Sequence, residues 1–193
     1  MILNNEAITT NQAIDPAAFQ DPVTGRYYLF WGNGNPLFAE FNNDMVSINQ
    51  STISTITGLT DFREGIFVNY RKGLYHITYS IDDTGSENYR VGYATSAIVE
   101  GPWTYRGVVL QKDPSQGSLA TGHDSIVNVP GTDDWYIAYH RFAIPGGDGT
   151  HRETTIDRVY FDRETGFMRP IVPTLSSVGP EIIPKPCTDR RAT

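Results

Sequence analysis

The feature that most constrains this chain is an aromatic strand pattern that occurs three times. Tyr27-Tyr-Leu-Phe-Trp31-Gly32, Tyr75-His-Ile-Thr-Tyr79-Ser80 and Trp135-Tyr-Ile-Ala-Tyr139-His140 are variants of one design. Each has a polar residue 11 or 12 positions upstream: Asp15, Glu64 and His123. Aromatic and β-branched runs separated by Gly, Pro, Asn and Asp read as strands and turns. No stretch carries a trustworthy helical period. The chain is therefore expected to be all-β, with units near residues 12–52, 58–110 and 122–173.

Units of roughly 50 residues with about four short strands each have the size of propeller blades. A blade cannot bury both faces of its sheet alone and packs on its neighbours. The first strand of each blade lies nearest the axis, which would put Asp15, Glu64 and His123 on one rim. A β-sandwich whose strands share aromatics is the alternative that the pattern leaves open. Closed propellers carry about four to eight blades, so three units leave a ring unfinished. The expectation is a partial β-propeller over residues 1–187, with a tail at 188–193. Sequence outside this chain, or another chain, would complete it.

With 39% apolar and 12% aromatic residues the chain can bury a substantial core. A formal charge of −7 argues against nucleic acid or an anionic membrane as the main partner, because both need clustered cations. No apolar run reaches membrane-spanning length. The start, Met1-Ile-Leu-Asn-Asn-Glu6, lacks the basic and apolar segments of a signal peptide. The single cysteine, Cys187, excludes an intrachain disulfide and a Cys-based zinc site, and leaves the compartment open.

Two carboxylates facing a cleft are the minimum for glycoside hydrolysis: one protonates the leaving oxygen, and the other attacks or activates water. The acid must keep its proton near neutral pH, through burial or a nearby negative charge. Phe62 and the Gly65-Ile-Phe67 run beside Glu64 offer such walls, and Asp15 would act in the same direction. The alternative is that Asp15 is an Asx-turn residue before Pro16 and Glu64 a strand-edge charge. His123, in Thr121-Gly-His-Asp-Ser125, is either a structural hydrogen-bonder or a group that orients a carboxylate or holds a metal. Arg152 either clamps substrate with its fork of N–H groups or pairs with Glu153. Trp31, Phe62 and Phe142 are candidates for stacking on a sugar face, or for core. The glycine-rich stretch 145–149 has no following helix and is a poor phosphate cradle, and no Gly-x-Ser-x-Gly elbow is present.

Four of these motifs together resemble glycoside hydrolase family 43. Ile14-Asp-Pro-Ala-Ala-Phe-Gln-Asp21, followed by Gly25-Arg-Tyr-Tyr-Leu-Phe-Trp-Gly32, is similar to the family's second carboxylate motif. Glu64-Gly-Ile-Phe67 with Lys72-Gly-Leu-Tyr-His-Ile-Thr-Tyr-Ser80 resembles its general-acid motif. Thr121-Gly-His-Asp-Ser125 with Asp134-Trp-Tyr-Ile-Ala-Tyr-His140 resembles its central-histidine strand, and Arg152-Glu-Thr-Thr-Ile156 its substrate-contacting arginine segment. The resemblance implies a five-bladed β-propeller, of which about three blades lie here. It implies an inverting hydrolase of plant cell-wall polysaccharide with Glu64 as general acid. Asp15 becomes the carboxylate that tunes and orients Glu64, and Arg152 a sugar ligand.

The same resemblance sets His123 near the axis, where some arabinan-cleaving members hold calcium, and implies no required cofactor. It places the general base before the Asp15 motif, outside this chain, with Asp15 itself as the alternative base. It implies arabinose- or xylose-containing oligo- and polysaccharides as partners, and secretion. Tyr79-Ser-Ile-Asp-Asp-Thr-Gly-Ser-Glu-Asn-Tyr-Arg-Val-Gly-Tyr93 and the stretch 140–149 look most like exo-acting α-L-arabinofuranosidases. A β-xylosidase, an exo-galactanase and a non-catalytic sugar-binding propeller fragment are the alternatives.

Overall fold

Turn residues cut the aromatic runs into short antiparallel strands. A computed structural model describes residues 13–176 and 178–181. Among them are no α-helices, two single turns of 3-10 helix and three sheets. The first sheet is β1 (Ala17–Gln20), β2 (Tyr27–Trp31), β3 (Leu37–Glu40) and β4 (Ser54–Thr55), in that order. The second is β5 (Glu64–Arg71), β6 (Leu74–Ile81), β7 (Arg90–Ser96) and β8 (Thr104–Leu110). The third is β9 (Gly122–Asn128), β10 (Trp135–Phe142) and β11 (Arg152–Val159). Each is an up-and-down meander, the form of a propeller blade.

Burial shows how the blades stack. β6 and β7 are buried at nearly every position, so the second sheet is covered on both faces. β9 and β11 alternate buried and exposed, as strands covered on one face do. One core joins Tyr28, Phe30 and Phe38 of the first blade to Ile66, Ile77 and Tyr79 of the second. Another joins Val91, Tyr93 and Leu110 of the second to Ile126, Ile137 and Tyr139 of the third. The first strand of the middle blade, β5, touches the first strands of both others, β1 and β9.

The third unit has three strands among the described residues, one fewer than the four of the other two sheets. After β11 the chain turns at Asp162–Gly166, where Gly166 N–H donates to Asp162 O at 3.0 Å. It then runs back to the second blade through a parallel bridge between Leu110 and Ile171. Pro170 and Pro173 flank that bridge and have no N–H to extend a ladder. Cys187 and the tail at 188–193 lie outside the described residues.

Candidate active site

Asp15, Glu64 and His123 meet. Asp15 lies just before β1, Glu64 opens β5 and His123 is the second residue of β9. One carboxylate oxygen of each acid and one imidazole nitrogen all lie within 4.8 Å of one another. The backbone bends sharply at each point. Asp15 and His123 hold φ of 54° and 52°, a region side chains seldom adopt, and Gly65 beside Glu64 holds φ of 65°. A Cβ on Gly65 would stand 3.2 Å from both His123 Nδ1 and Ser80 Oγ. The β5–β6 register also shifts between Glu64 and Phe67, a bulge that re-aims the Glu64 side chain.

Glu64 is buried to 8% exposure with both oxygens engaged. Asn33 Nδ2 donates to Oε2 at 2.9 Å, and the Tyr89 hydroxyl donates to Oε1 at 2.9 Å. Asn33 is carried by a loop pinned on both sides. Gly32 N–H donates to Ile14 O at 3.1 Å, and Gly34 N–H to Arg63 O at 2.7 Å. Gly32 is required there, because a Cβ would lie 2.1 Å from Asn35 O. Burial, and then the adjacent Glu64 carboxylate, push the Tyr89 phenol far above its usual range, so it remains a donor. The His123 backbone N–H donates to Ser80 Oγ at 3.0 Å.

Arg152 is exposed, and its Nη1 lies 3.1 Å from both Thr84 Oγ1 and His140 Nε2. Glu153, the alternative partner in the sequence, pairs instead with Arg141 at 2.8 Å. Burial, with the neighbouring Arg152 guanidinium next, lowers the His140 pKa to about 4. A neutral His140 therefore accepts from Arg152 through Nε2. Its ring stacks on Tyr89 at 5.4 Å and 11°, and on His123 at 6.3 Å and 25°.

The aromatic candidates are placed differently. Trp31 is only 4% exposed and packs with Leu37, Ala39 and Ile48, so its ring faces are core rather than a sugar platform. Its strand-end position put it near the site in sequence, but its side chain points to the opposite face from Phe30, whose face packs on the second blade. Phe62 is half-buried against Tyr79 at 5.8 Å, and Phe142 is packed with Tyr89 and Ala120.

Calcium fits the trio poorly. That ion takes about 6–8 oxygen ligands, whereas the trio offers one imidazole, the Asp15 carboxylate and a Glu64 whose oxygens already accept hydrogen bonds. A cleft of about 400 Å³ opens beside the trio, lined by Asp15, Ala17, Phe67, His123, Asp124 and Ser125. A larger one, about 770 Å³, lies at the far end of β5 around Arg71 and Asp133. Arg71 and Lys72 there both bind Asp133, each at 2.6 Å. We place the chemistry in the smaller cleft because Asp15 and His123 of the trio line it.

Asn33, Ser80, Tyr89 and His140 were not singled out in the sequence as site residues. A signal for two of them existed. Ser80 and His140 follow the last aromatic of the second strand in their repeats, as Gly32 does in the first. In the structure these positions flank the trio: Ser80 pairs with Glu64 in register, and His140 with Gly122.

Residues 3–166 match the model of glycosyl hydrolases family 43. The chain belongs to this family. It is 32% identical over 178 residues to a β-D-galactofuranosidase of Aspergillus niger, covering 91% of this chain and 51% of that protein. It is 32% identical over 149 residues to an arabinoxylan arabinofuranohydrolase of Bacillus subtilis, covering 65% of this chain and 28% of the relative. A thermostable family-43 glycoside hydrolase superposes with a TM-score of 0.78 at 23% identity, over 96% of this chain and 64% of that one. The chain thus spans about half the length of the first relative, and its three sheets form part of the five-bladed family 43 propeller.

Proposed function

We propose that this chain carries the acid-bearing part of the active site of an inverting exo-α-L-arabinofuranosidase that acts on plant cell-wall polysaccharide. The observation that carries the reading is the convergence of Glu64 and Asp15 beside Arg152-bound His140, in a chain of family 43. Glu64 protonates the leaving glycosidic oxygen. Asp15 lies too near Glu64 to be its water-activating partner: an inverting pair keeps about 6.5–9.5 Å for that water, and these groups approach within 4.8 Å. The spacing supports Asp15 as the charge that tunes and orients the acid. The base that activates water is then a carboxylate supplied from outside this chain, by further sequence or by a second chain. Arg152, an exposed fork of donors, binds sugar hydroxyls.

A second reading is favoured by one observation. The relative matched over 91% of this chain is a β-D-galactofuranosidase. β-D-Galactofuranose presents the same ring configuration as α-L-arabinofuranose and differs by a longer exocyclic arm at C4. A furanoside pocket is therefore the shared element, ahead of the β-xylosidase and exo-galactanase readings.

Nitrophenyl α-L-arabinofuranoside, β-D-galactofuranoside and β-D-xylopyranoside assayed side by side separate these substrates in the full-length enzyme. Proton NMR of the first product formed should show inversion at the anomeric carbon. Retention would make Asp15 a nucleophile, and full activity of Glu64→Gln on arabinan oligosaccharides would remove the acid assignment.

A further inference from the structure

The polar contacts of Glu64 and Arg152 are joined by two side chains that do not themselves face the carboxylate trio's cleft. Tyr89 has no exposed surface, and its hydroxyl donates to Glu64 Oε1 at 2.9 Å. His140 lies flat on the Tyr89 ring at 5.4 Å and 11°, and its Nε2 accepts from Arg152 at 3.1 Å. The stack is closely confined. A Cβ on Gly122 would stand 2.3 Å from the Tyr89 ring, so glycine at that position lets β9 close over it. Ala120 and Phe142 share a buried cluster with Tyr89. Tyr89 comes from the second blade, whereas His140 and Arg152 belong to the third.

We propose that Tyr89 and His140 act as a pair of positioning residues that fix the Glu64 carboxyl and the Arg152 guanidinium relative to each other across the blade interface. Tyr89 sets the orientation of the proton donor, and His140 sets the reach of the sugar-binding fork. The stack between them transmits a displacement of one to the other, because the Tyr89 ring is fully buried and closed in beside Gly122. A packed interior allows no gradual deformation at such a contact. The inference rests on the reading of Glu64 as general acid and Arg152 as sugar ligand, and adds the element that couples them.

The test uses leaving groups of different need for a proton. In the full-length enzyme, Tyr89→Phe should lower kcat on arabinobiose, a poor leaving group, about tenfold to a hundredfold. On 2,4-dinitrophenyl α-L-arabinofuranoside, which departs without a proton, the loss should stay below about threefold. Equal losses on both substrates would mean that Tyr89 only supports the fold and would overturn the proposal. His140→Ala should raise KM about tenfold, whereas His140→Gln, which keeps an acceptor, should restore most of the wild-type value. Equal KM in the two variants would overturn the role of His140. Glu64→Gln serves as the control: if it hydrolyses arabinobiose as well as wild type, the acid reading fails, whatever Tyr89→Phe does. A second measurement needs no turnover. In the full-length enzyme, hydrogen exchange at the Arg152 guanidinium, read by NMR, should speed up several-fold in His140→Ala and in Tyr89→Phe. Unchanged exchange in Tyr89→Phe would break the coupling.

Discussion

Asn33 reaches out of the first blade and donates through Nδ2 to Glu64 Oε2 of the second at 2.9 Å. The bond ties the candidate acid to a loop that is itself pinned to the backbone beside Asp15 and beside Glu64. A hydrogen bond between neutral groups contributes about 0.5–1.5 kcal/mol. Asn33→Ala should therefore cut kcat/KM on arabinobiose about twofold to tenfold. Steady-state kinetics of the full-length enzyme measures this, and an unchanged value would mean that Tyr89 alone orients the carboxyl.

Gly122 has no space for a side chain, because a Cβ would meet the Tyr89 ring at 2.3 Å. Overpacking of this kind costs about 1–3 kcal/mol. For a chain of this size that lowers Tm by roughly 2–10 °C. Thermal melts of Gly122→Ala followed by circular dichroism should show the drop. Wild-type melting would mean that Tyr89 can move aside, which would also weaken its confinement.

Asp124 gives the stability a pH dependence of unusual sign. Its carboxyl is 5% exposed, accepts from Thr78 Oγ1 at 2.7 Å, and has no partner on Oδ1 among the described residues. Burial raises its pKa from 3.8 to about 7, against the opposing pull of the Thr78 hydrogen bond. The unfolded chain loses this proton near pH 4, and the folded chain keeps it to about pH 7. Between those limits the folded state binds more protons, so the contribution of Asp124 to stability falls as pH rises. Asp124→Asn removes that loss. Its stability relative to wild type should climb from pH 4 to pH 7 by a few kcal/mol at most, on the order of the shift. Urea melts across that range check the slope, and a flat difference would place the proton elsewhere.

Buried His76 and His140 act in the opposite sense. Burial is the main cause of lowering both to about 4, from 6.5. The unfolded chain therefore takes up protons that the folded chain refuses, and stability falls as pH drops from about 6.5 toward 4. Comparing Asp124→Asn with wild type cancels this background, so the Asp124 slope can be read alone.

The trio was legible because a repeat carries it. Equal spacing before three similar strands puts Asp15, Glu64 and His123 at equivalent points, and neighbouring blades bring equivalent points to one axis. Trp31 shows where that reasoning ends. Its place in the repeat says nothing of which sheet face its ring takes, and it belongs to the core with Leu37 and Ala39. Asn33, Tyr89 and His140 show the reverse. Each becomes part of the site through a contact that crosses blades or folds a loop back, as with Asn33 to Glu64 and Tyr89 to His140.

The amino-acid sequence by itself determined the strands, their meander order and the three polar residues that lead the repeats. Those depend on side-chain period, turn chemistry and spacing along one chain. The tertiary structure alone decided which groups hold the Glu64 carboxyl, what Arg152 binds, and that Asp15 stands within 4.8 Å of the acid. Those depend on how one blade closes on the next. That closure is set by the volumes of buried side chains such as Tyr89 against Gly122, which no spacing along the chain records.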